Sequence, residues 1–259
     1  MRLGASRPFK YLLALGVFTA FLIAWNLVVG VGRYPEFILP RPGTVWGRLL
    51  VLATDGTLWR HADVTAQEAL GGFLIGLAFA TAVGYPLAKS PLLERVFAPY
   101  LVASQSIPLV ALAPLLVLWF GFGLTSKVLA AAIISFFPLL VNVIVGVRGV
   151  APESRDLMRS FAASRWDVFA KLEVPAALPV YLGGARVGIT LSVIGAVVGE
   201  FVGADAGLGY LIAQSRGLFD TVTLFVALVT LMAMALLFYG AVAWLERLLL
   251  SNRRKESLA

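Results

Sequence analysis

The stretch DLMRSFAASRWDVFAKLEVPAALP, residues Asp156–Pro179, separates two long apolar runs and resembles neither of them. The segment around it, residues 148–180, carries nine charged side chains, about twice the charge density of the whole chain. Its five basic and four acidic residues leave a net charge of only +1, which is too small for a purely basic, lipid-binding patch. The sequence therefore predicts a polar segment outside the bilayer.

This stretch also has helical periodicity. Its apolar residues recur about every three or four positions and form one stripe: Met158, Phe161, Ala162, Trp166, Phe169 and Leu172. Pro175 and Pro179 follow, and they predict a break before the next helix because proline lacks an N–H and clashes with the preceding turn. Two interpretations fit this pattern, an amphipathic helix lying on lipid headgroups and a helix that docks on a cytoplasmic partner.

The rest of the chain has the composition of a membrane protein. Of its 259 residues 60% are hydrophobic and 14% are charged, whereas soluble domains carry about 25% charged residues. Only helices can satisfy their own backbone hydrogen bonds in lipid, so we predict an all-α membrane protein with a single transmembrane domain. Six segments are long enough to cross a bilayer, at about residues 11–31, 69–88, 96–120, 128–147, 181–202 and 221–245.

The distribution of Lys and Arg predicts that both termini are cytoplasmic. This orientation places 14 basic residues inside, among them Arg2, and six outside. It puts residues 148–180 in the cytoplasm and residues 203–220 outside. The first apolar run is predicted to be an uncleaved span rather than a signal peptide. The capping-box pattern TAQE, Thr65–Glu68, predicts the start of the second span.

Several chemistries lack the residues they need. With no cysteine and one histidine, His61, the chain offers no thiolate nucleophile and no ordinary metal site. The nearest lookalike of a phosphate-binding loop, GYPLAKS at Gly84–Ser90, has the wrong glycine spacing. Glu200 is the main ionisable residue expected within a span, which is few for an ion-coupled carrier. We therefore expect a non-enzymatic transport protein that holds no cofactor and takes its energy from another subunit.

The quoted stretch resembles the cytoplasmic "EAA" loop in the membrane subunits of bacterial ABC importers. It is most similar to the branch that serves nitrate, sulfonates, taurine, thiamine-pyrimidine precursors and riboflavin. The segments PLVALAPLLVLWFGFG, Pro108–Gly123, and GEFVGADAGLGYLI, Gly199–Ile212, extend the likeness over most of the chain. The stretch departs from the family pattern at Asp156, Met158 and Ala162, where Glu, Ala and Gly are usual.

The resemblance implies a type I ABC importer permease fold in the bacterial inner membrane. It implies that two copies of an ATP-binding subunit, which carry the ATP and Mg²⁺, dock on residues 148–180, called here the coupling segment. It also implies a second permease chain, expected to form a homodimer, and a solute-binding protein outside, which Asp205 and Arg216 could contact. No nucleic acid is expected. The residues that the resemblance assigns to coupling are Asp156, Arg159, Phe161, Ala162, Ala163, Ser164, Trp166, Phe169, Pro175 and Pro179.

Polar residues within the spans are candidates for the transport pathway. Gln105, Asn142 and Glu200 could line it, or the first two could make hydrogen bonds between helices and Glu200 could lie at the membrane interface. Gly195, Gly199 and Gly203 allow close helix packing, either within the chain or at a dimer seam. The expected substrate is a small organic solute such as a thiamine-pyrimidine precursor, riboflavin or a sulfonate. A stand-alone secondary transporter is the alternative function.

Overall fold

A computed structural model of the chain describes the backbone of residues 7–256, and their side chains except at residues 7–11, 14, 109 and 251–256. Within these bounds every regular element is helical. Arg2, which contributed to the predicted orientation, lies outside the described residues. The α-helices are α1 Arg7–Gly32, α2 Pro42–Thr54, α3 Thr57–Lys89, α4 Pro91–Gln105, α5 Leu109–Phe120, α6 Leu124–Arg148, α7 Pro152–Ser160, α8 Arg165–Asp167, α9 Val174–Val202, α10 Leu208–Gly217 and α11 Thr221–Glu256.

Five continuous helical segments of the described chain are long and apolar enough to cross a membrane, and α4 with α5 could supply a sixth span. The prediction of one helix at about residues 96–120 was wrong, because α4 and α5 meet at a bend of 95°. Pro108 explains the break. It has no N–H to continue the helix and disfavours helical geometry in the residue before it.

The second span begins earlier than predicted. Helix α3 starts at Thr57, so Thr65–Glu68 lies inside the helix and is not its capping box. The start is set by Asp55 and Gly56. Asp55 Oδ1 accepts the N–H of Thr57 at 2.8 Å, and Gly56 has a φ of +85°, which glycine adopts without strain.

The chain divides into two compact units. The first comprises the described part of Met1–Trp59 together with Leu211–Val229. Trp25 packs against Phe225 with ring centroids 5.4 Å apart, which joins α1 to α11. Asp220 caps the N-terminus of α11 by accepting the N–H and the hydroxyl proton of Thr223, at 3.0 and 2.6 Å.

The second unit comprises Arg60–Tyr210 and the described part of Thr230–Ala259, and α6 lies at its centre. Helix α3 packs closely on α6 because a Cβ atom at Gly76 would lie 2.6 Å from Ser135 Oγ. Helix α9 packs on α6 in the same way, since a Cβ atom at Gly188 would lie 2.8 Å from two Leu139 carbons. Small residues thus let three helices approach closely where lipid supplies no hydrophobic drive.

Candidate functional site

The coupling segment turns sharply between α7 and α8 at Ala162. This residue has a φ of +51°, in the left-handed region that glycine adopts most easily. The N–H of Ala162 donates to Arg159 O at 2.9 Å, and the N–H of Ala163 donates to Met158 O at 3.0 Å. These two bonds form a Schellman motif, the standard helix ending with glycine at the left-handed position. Ala162 therefore makes the tight turn of the usual glycine while bearing a Cβ atom.

Helix α8 starts three residues later, at Arg165, with a capping box. The N–H of Asp167 donates to Ser164 Oγ at 3.1 Å, and Asp167 Oδ2 accepts the N–H of Ser164 at 3.3 Å. Lys171 Nζ lies 2.6 Å from Asp167 Oδ1 one turn further on. The turn is thus defined by contacts between near neighbours in sequence.

The proline break expected after this turn is absent. From Arg165 to Val202 the chain is continuously helical, and a π-helical turn at Val168–Glu173 lies between α8 and α9. The N–H of Val174 donates to Phe169 O, five residues back. Pro175 thus sits where the wider pattern ends, and Pro179 follows one turn later inside α9. The π-helical turn changes the bonding pattern directly before Pro175, where a regular α-turn would leave the ring of Pro175 in a clash.

Two aromatic side chains of the coupling segment face outward. Phe161 is 75% exposed and Trp166 is 72% exposed. Phe169 instead packs against Tyr85 of α3 at 5.3 Å between ring centroids, and Trp166 also contacts Phe169, at 5.4 Å between ring centroids. The turn at Ala162 interrupts the predicted apolar stripe. The residues of the stripe therefore serve two purposes. Phe169 anchors the segment, and most of the surface of Phe161 and Trp166 remains exposed.

The charged rim of the segment is exposed as well. Asp156 and Arg159 form an ion pair at 3.1 Å on α7, and both side chains are mostly exposed. Such a pair contributes little to folding, so it is available to a partner.

A buried carboxylate that the sequence analysis did not select fixes the segment to the spans. Glu173 is 1% exposed and accepts the hydroxyl proton of Tyr85 at 2.9 Å and a hydrogen bond from Lys89 Nζ. Arg155 Nε of α7 lies 3.6 Å from the same carboxylate. The sequence did contain a sign of this buried carboxylate. Glu173 follows Phe169 by four residues and is therefore a charged residue on the apolar stripe.

A cavity of about 590 Å³ lies beside this contact, between α3, α6 and α9. Trp166 and Phe169 form part of its wall, and Thr81 and Tyr181 contribute hydroxyl groups that lie 3.1 Å apart. Most of its lining is apolar. The coupling segment therefore borders open space on its membrane side and does not pack into a solid core.

Of the pathway candidates, Gln105 and Asn142 lie in different surroundings. Gln105 is exposed at the end of α4 and borders a cavity of about 150 Å³. Asn142 Nδ2 donates to Pro138 O at 2.8 Å, and the Asn142 side chain packs against Gly184 of α9. In this chain Asn142 is therefore placed for helix packing.

Glu200 is buried within the described part of the chain. It is 2% exposed, and its Oε1 accepts the hydroxyl proton of Thr65 at 2.6 Å. Glu68 and Lys127 are each 2% exposed near it, so the interior holds more ionisable groups than the sequence suggested. Their positions could not be read from the sequence because Lys127 was assigned to a loop and Glu68 to a helix cap.

The glycines of α9 pack within the chain. A Cβ atom at Gly195 would lie 2.5 Å from Ala131 Cα, and one at Gly199 would lie 3.0 Å from Lys127 Cα, both on α6. One at Gly203 would lie 2.5 Å from a ring carbon of Phe122.

The sequence model of the binding-protein-dependent transport system inner membrane component family matches residues 72–251. This chain belongs to that family. The matched range contains α6, the coupling segment and α9. It also contains the buried carboxylates Glu173 and Glu200.

Curated relatives cover nearly the whole chain. The riboflavin transport system permease protein RibX of Chloroflexus aurantiacus is 48% identical, over 88% of this chain and 85% of its own length. The formylaminopyrimidine transport permease protein ThiX of Halalkalibacterium halodurans is 34% identical, over 92% of this chain and 95% of its own. The taurine transport system permease protein TauC of Escherichia coli is 30% identical, over 86% and 84%.

A solved structure has the same fold. The chain from inward-facing conformations of the MetNI methionine ABC transporter aligns with a TM-score of 0.60 at 23% identity, over 77% of this chain and 95% of that one. The protein is thus an all-helical ABC importer permease in a bacterial inner membrane, a non-catalytic transport subunit. Family membership implies an ATPase partner, a binding protein and a second permease chain.

Proposed function

We propose that this permease imports riboflavin, driven by a separate ATPase that docks on the coupling segment. The observation that supports the substrate is the 48% identity to a riboflavin permease across 88% of the chain. The relative named for formylaminopyrimidine is 34% identical, and those named for sulfonates and taurine are 30–32% identical. Riboflavin is therefore the first candidate, and a thiamine-pyrimidine precursor is the second.

The geometry of the coupling segment supports its role as the ATPase contact. Phe161 and Trp166 present large exposed aromatic faces, and aromatic residues are frequent anchors of protein interfaces. Asp156 and Arg159 add a charged rim that can set register and partner choice. Phe169 and Glu173 connect this surface to α3 and α9, so a displaced segment would pull on two spans.

The proposal includes the arrangement of the whole transporter. Two copies of this chain and two ATPase subunits form the complex, with both termini and the coupling segment in the cytoplasm. Residues 203–220 face outside, toward the binding protein. The excess of Lys and Arg on the proposed cytoplasmic side supports this orientation.

Uptake of radiolabelled riboflavin tests the proposal. The chain, its ATPase and its binding protein are expressed in a riboflavin-auxotrophic bacterium that has no other riboflavin importer. We expect uptake that is lost when the ATPase cannot hydrolyse ATP and when Ala163→Trp disturbs the docking surface. Uptake that persists without ATP hydrolysis would instead indicate the stand-alone secondary transporter.

Competition decides between the two substrates. Unlabelled riboflavin should abolish the uptake of label, and formylaminopyrimidine should leave it unchanged. If formylaminopyrimidine is the solute that is taken up and riboflavin is not, the permease belongs with the thiamine-precursor importers.

A further inference from the structure

The cavity of about 590 Å³ beside the coupling segment has largely aromatic walls. Its lining contains aliphatic side chains of α6 and α9 and four aromatic ones, which are Tyr85, Trp166, Phe169 and Tyr181. Ligand pockets in proteins have volumes of about 300–1,000 Å³ and are mostly apolar and aromatic as well. Trp166 is 72% exposed, so the cavity reaches the surface of the chain at this side chain. The size and the walls fit a small, flat aromatic molecule.

The three hydroxyl groups of the cavity wall donate their protons within the chain. Thr81 Oγ1 donates to Leu77 O at 2.7 Å, and a threonine has one hydroxyl proton to give. The hydroxyl of Tyr181, 3.1 Å from Thr81 Oγ1, is therefore the donor of the bond between them. The hydroxyl of Tyr85 donates to Glu173 Oε2 at 2.9 Å. The two tyrosine oxygen atoms thus keep lone pairs but have no proton to give.

A ligand of this cavity should therefore bring a hydrogen-bond donor. A phenol oxygen that has donated its proton can still accept a hydrogen bond, and a buried polar atom is costly to leave unpaired. Lipid tails have neither N–H nor O–H and would leave these oxygen atoms without partners. A sulfonate would bring a full charge and three acceptor oxygens into an apolar cavity, where Trp166 offers a single indole N–H.

We propose that this cavity is a binding site for a flat, uncharged aromatic ring that donates an N–H to Tyr181, and that the isoalloxazine ring of riboflavin is the ring it takes. This ring is planar and has one N–H, in its imide group. Its faces pack against the aromatic wall, and its N–H donates to the Tyr181 oxygen. Trp166 and Phe169 belong to the coupling segment, so the ligand contacts that segment directly. The choice of riboflavin rests on the proposed function.

Two flavins that differ at one atom of the ring test the hydrogen bond. Lumiflavin has the isoalloxazine ring with its imide N–H and lacks the sugar-alcohol chain, and 3-methyllumiflavin carries a methyl group in place of that proton. Each is titrated onto the purified full-length chain in lipid nanodiscs, where quenching of flavin fluorescence by stacked aromatic side chains measures binding. We expect one lumiflavin per chain and about tenfold weaker binding of 3-methyllumiflavin.

Three variants locate the site. Tyr181→Phe removes the acceptor and keeps the ring, so it should weaken lumiflavin binding about tenfold and leave 3-methyllumiflavin binding unchanged. Ala82→Phe adds a ring at an exposed residue of the cavity wall and should abolish the binding of both flavins. Tyr239→Phe is the matched control, because it removes the hydroxyl of a tyrosine that does not line the cavity. It should bind both flavins as the unaltered chain does.

The inference is overturned if 3-methyllumiflavin binds the unaltered chain as tightly as lumiflavin does. It is also overturned if Tyr239→Phe weakens lumiflavin binding as much as Tyr181→Phe does. Displacement of lumiflavin by taurine would show a site for anions instead. A phospholipid that copurifies with the unaltered chain, but not with Ala82→Phe, would assign the cavity to lipid tails and exclude the flavin.

Binding and transport are measured separately, so this inference and the proposed function fail separately. Riboflavin uptake by the complete transporter without lumiflavin binding to this chain would overturn the site and leave the proposed function. Lumiflavin binding that responds to Tyr181→Phe, in a permease that does not import riboflavin, would leave the site and overturn the proposed substrate.

Discussion

The hydroxyl of Tyr85 donates to Glu173 Oε2 at 2.9 Å, across 88 residues of sequence, and joins α3 to the π-helical turn before α9. Glu173 is 1% exposed, so this contact is shielded from water. Lys89 and Arg155 face the same carboxylate. The coupling segment is therefore fastened to the spans by one residue that has three partners from two other helices.

Removing this carboxylate should destabilise the protein strongly. Glu173→Ala leaves Lys89 and Arg155 facing a partly buried site without their partner, and breaking buried pairs costs about 3–5 kcal/mol. Tyr85→Phe removes one hydrogen bond and should cost about 1.5–3 kcal/mol. Thermal unfolding of the purified protein measures both. Equal melting temperatures for Glu173→Ala and the unaltered chain would show that Glu173 does not fasten the coupling segment to the spans.

The turn at Ala162 should improve when glycine replaces alanine. A left-handed conformation costs a residue with a Cβ atom about 1–2 kcal/mol, and Ala162→Gly removes that cost. We expect slower proteolysis between α7 and α8 and slower exchange of the Ala163 N–H. Ala163→Gly, one residue further on, is the control and should bring no gain. Faster cleavage in Ala162→Gly would mean that the Cβ atom contributes more than the strain costs.

The exposed aromatics should matter for assembly and not for folding. Trp166→Ala should leave the melting temperature within about 1 °C and weaken ATPase binding about 30-fold, as expected for a hot spot of about 2 kcal/mol. Co-purification with the ATPase over a concentration series measures it. Trp59→Ala is the control, because Trp59 is 66% exposed but outside the coupling segment. If both variants bind the ATPase alike, Trp166 is not an anchor.

Two glycines of α9 should respond oppositely to alanine. At Gly195 a Cβ atom would lie 2.5 Å from Ala131 Cα, so Gly195→Ala should push α9 from α6 and cost about 1–3 kcal/mol. At Gly183 nothing lies within 4 Å, and Gly183→Ala should gain up to about 1 kcal/mol from helix propensity. Melting temperatures of the two variants test this order. A higher melting temperature for Gly195→Ala than for Gly183→Ala would show that α9 does not pack closely on α6 at Gly195.

Acid should weaken the start of α11. Burial alone would raise the pKa of Asp220, but hydrogen bonds from Thr223 and the charge of Arg48 hold the pKa below its usual value. A lowered pKa contributes stability above the unfolded-state pKa, and this contribution is lost as the pH falls through the folded-state value. Asp220→Asn should therefore lower stability at neutral pH and reduce the loss of stability as the pH falls below the ordinary aspartate pKa of 3.8. A parallel pH profile would contradict the role of Asp220.

Local sequence settled much of the coupling segment. Ser164 and Asp167 define the start of α8 through contacts within three residues, and Pro152 lies in the first turn of α7. Both starts are therefore marked by local motifs. The prolines did not reveal where the helices break, because the effect of a proline on a helix depends on the conformation of the turn before it. At Pro175 that turn is π-helical, and at Pro108 the chain bends by 95° between α4 and α5.

The sequence by itself determined the membrane class, most of the spans and the family, because hydrophobic length and local motifs are properties of contiguous residues. Only the tertiary structure decided which polar residues meet. Thr65 and Glu200 are 135 residues apart, and His61 Nδ1 accepts a hydrogen bond from the backbone N–H of Gly207, 146 residues away. A buried carboxylate needs partners from other helices, so its role becomes visible only when α3 and α9 both pack on α6.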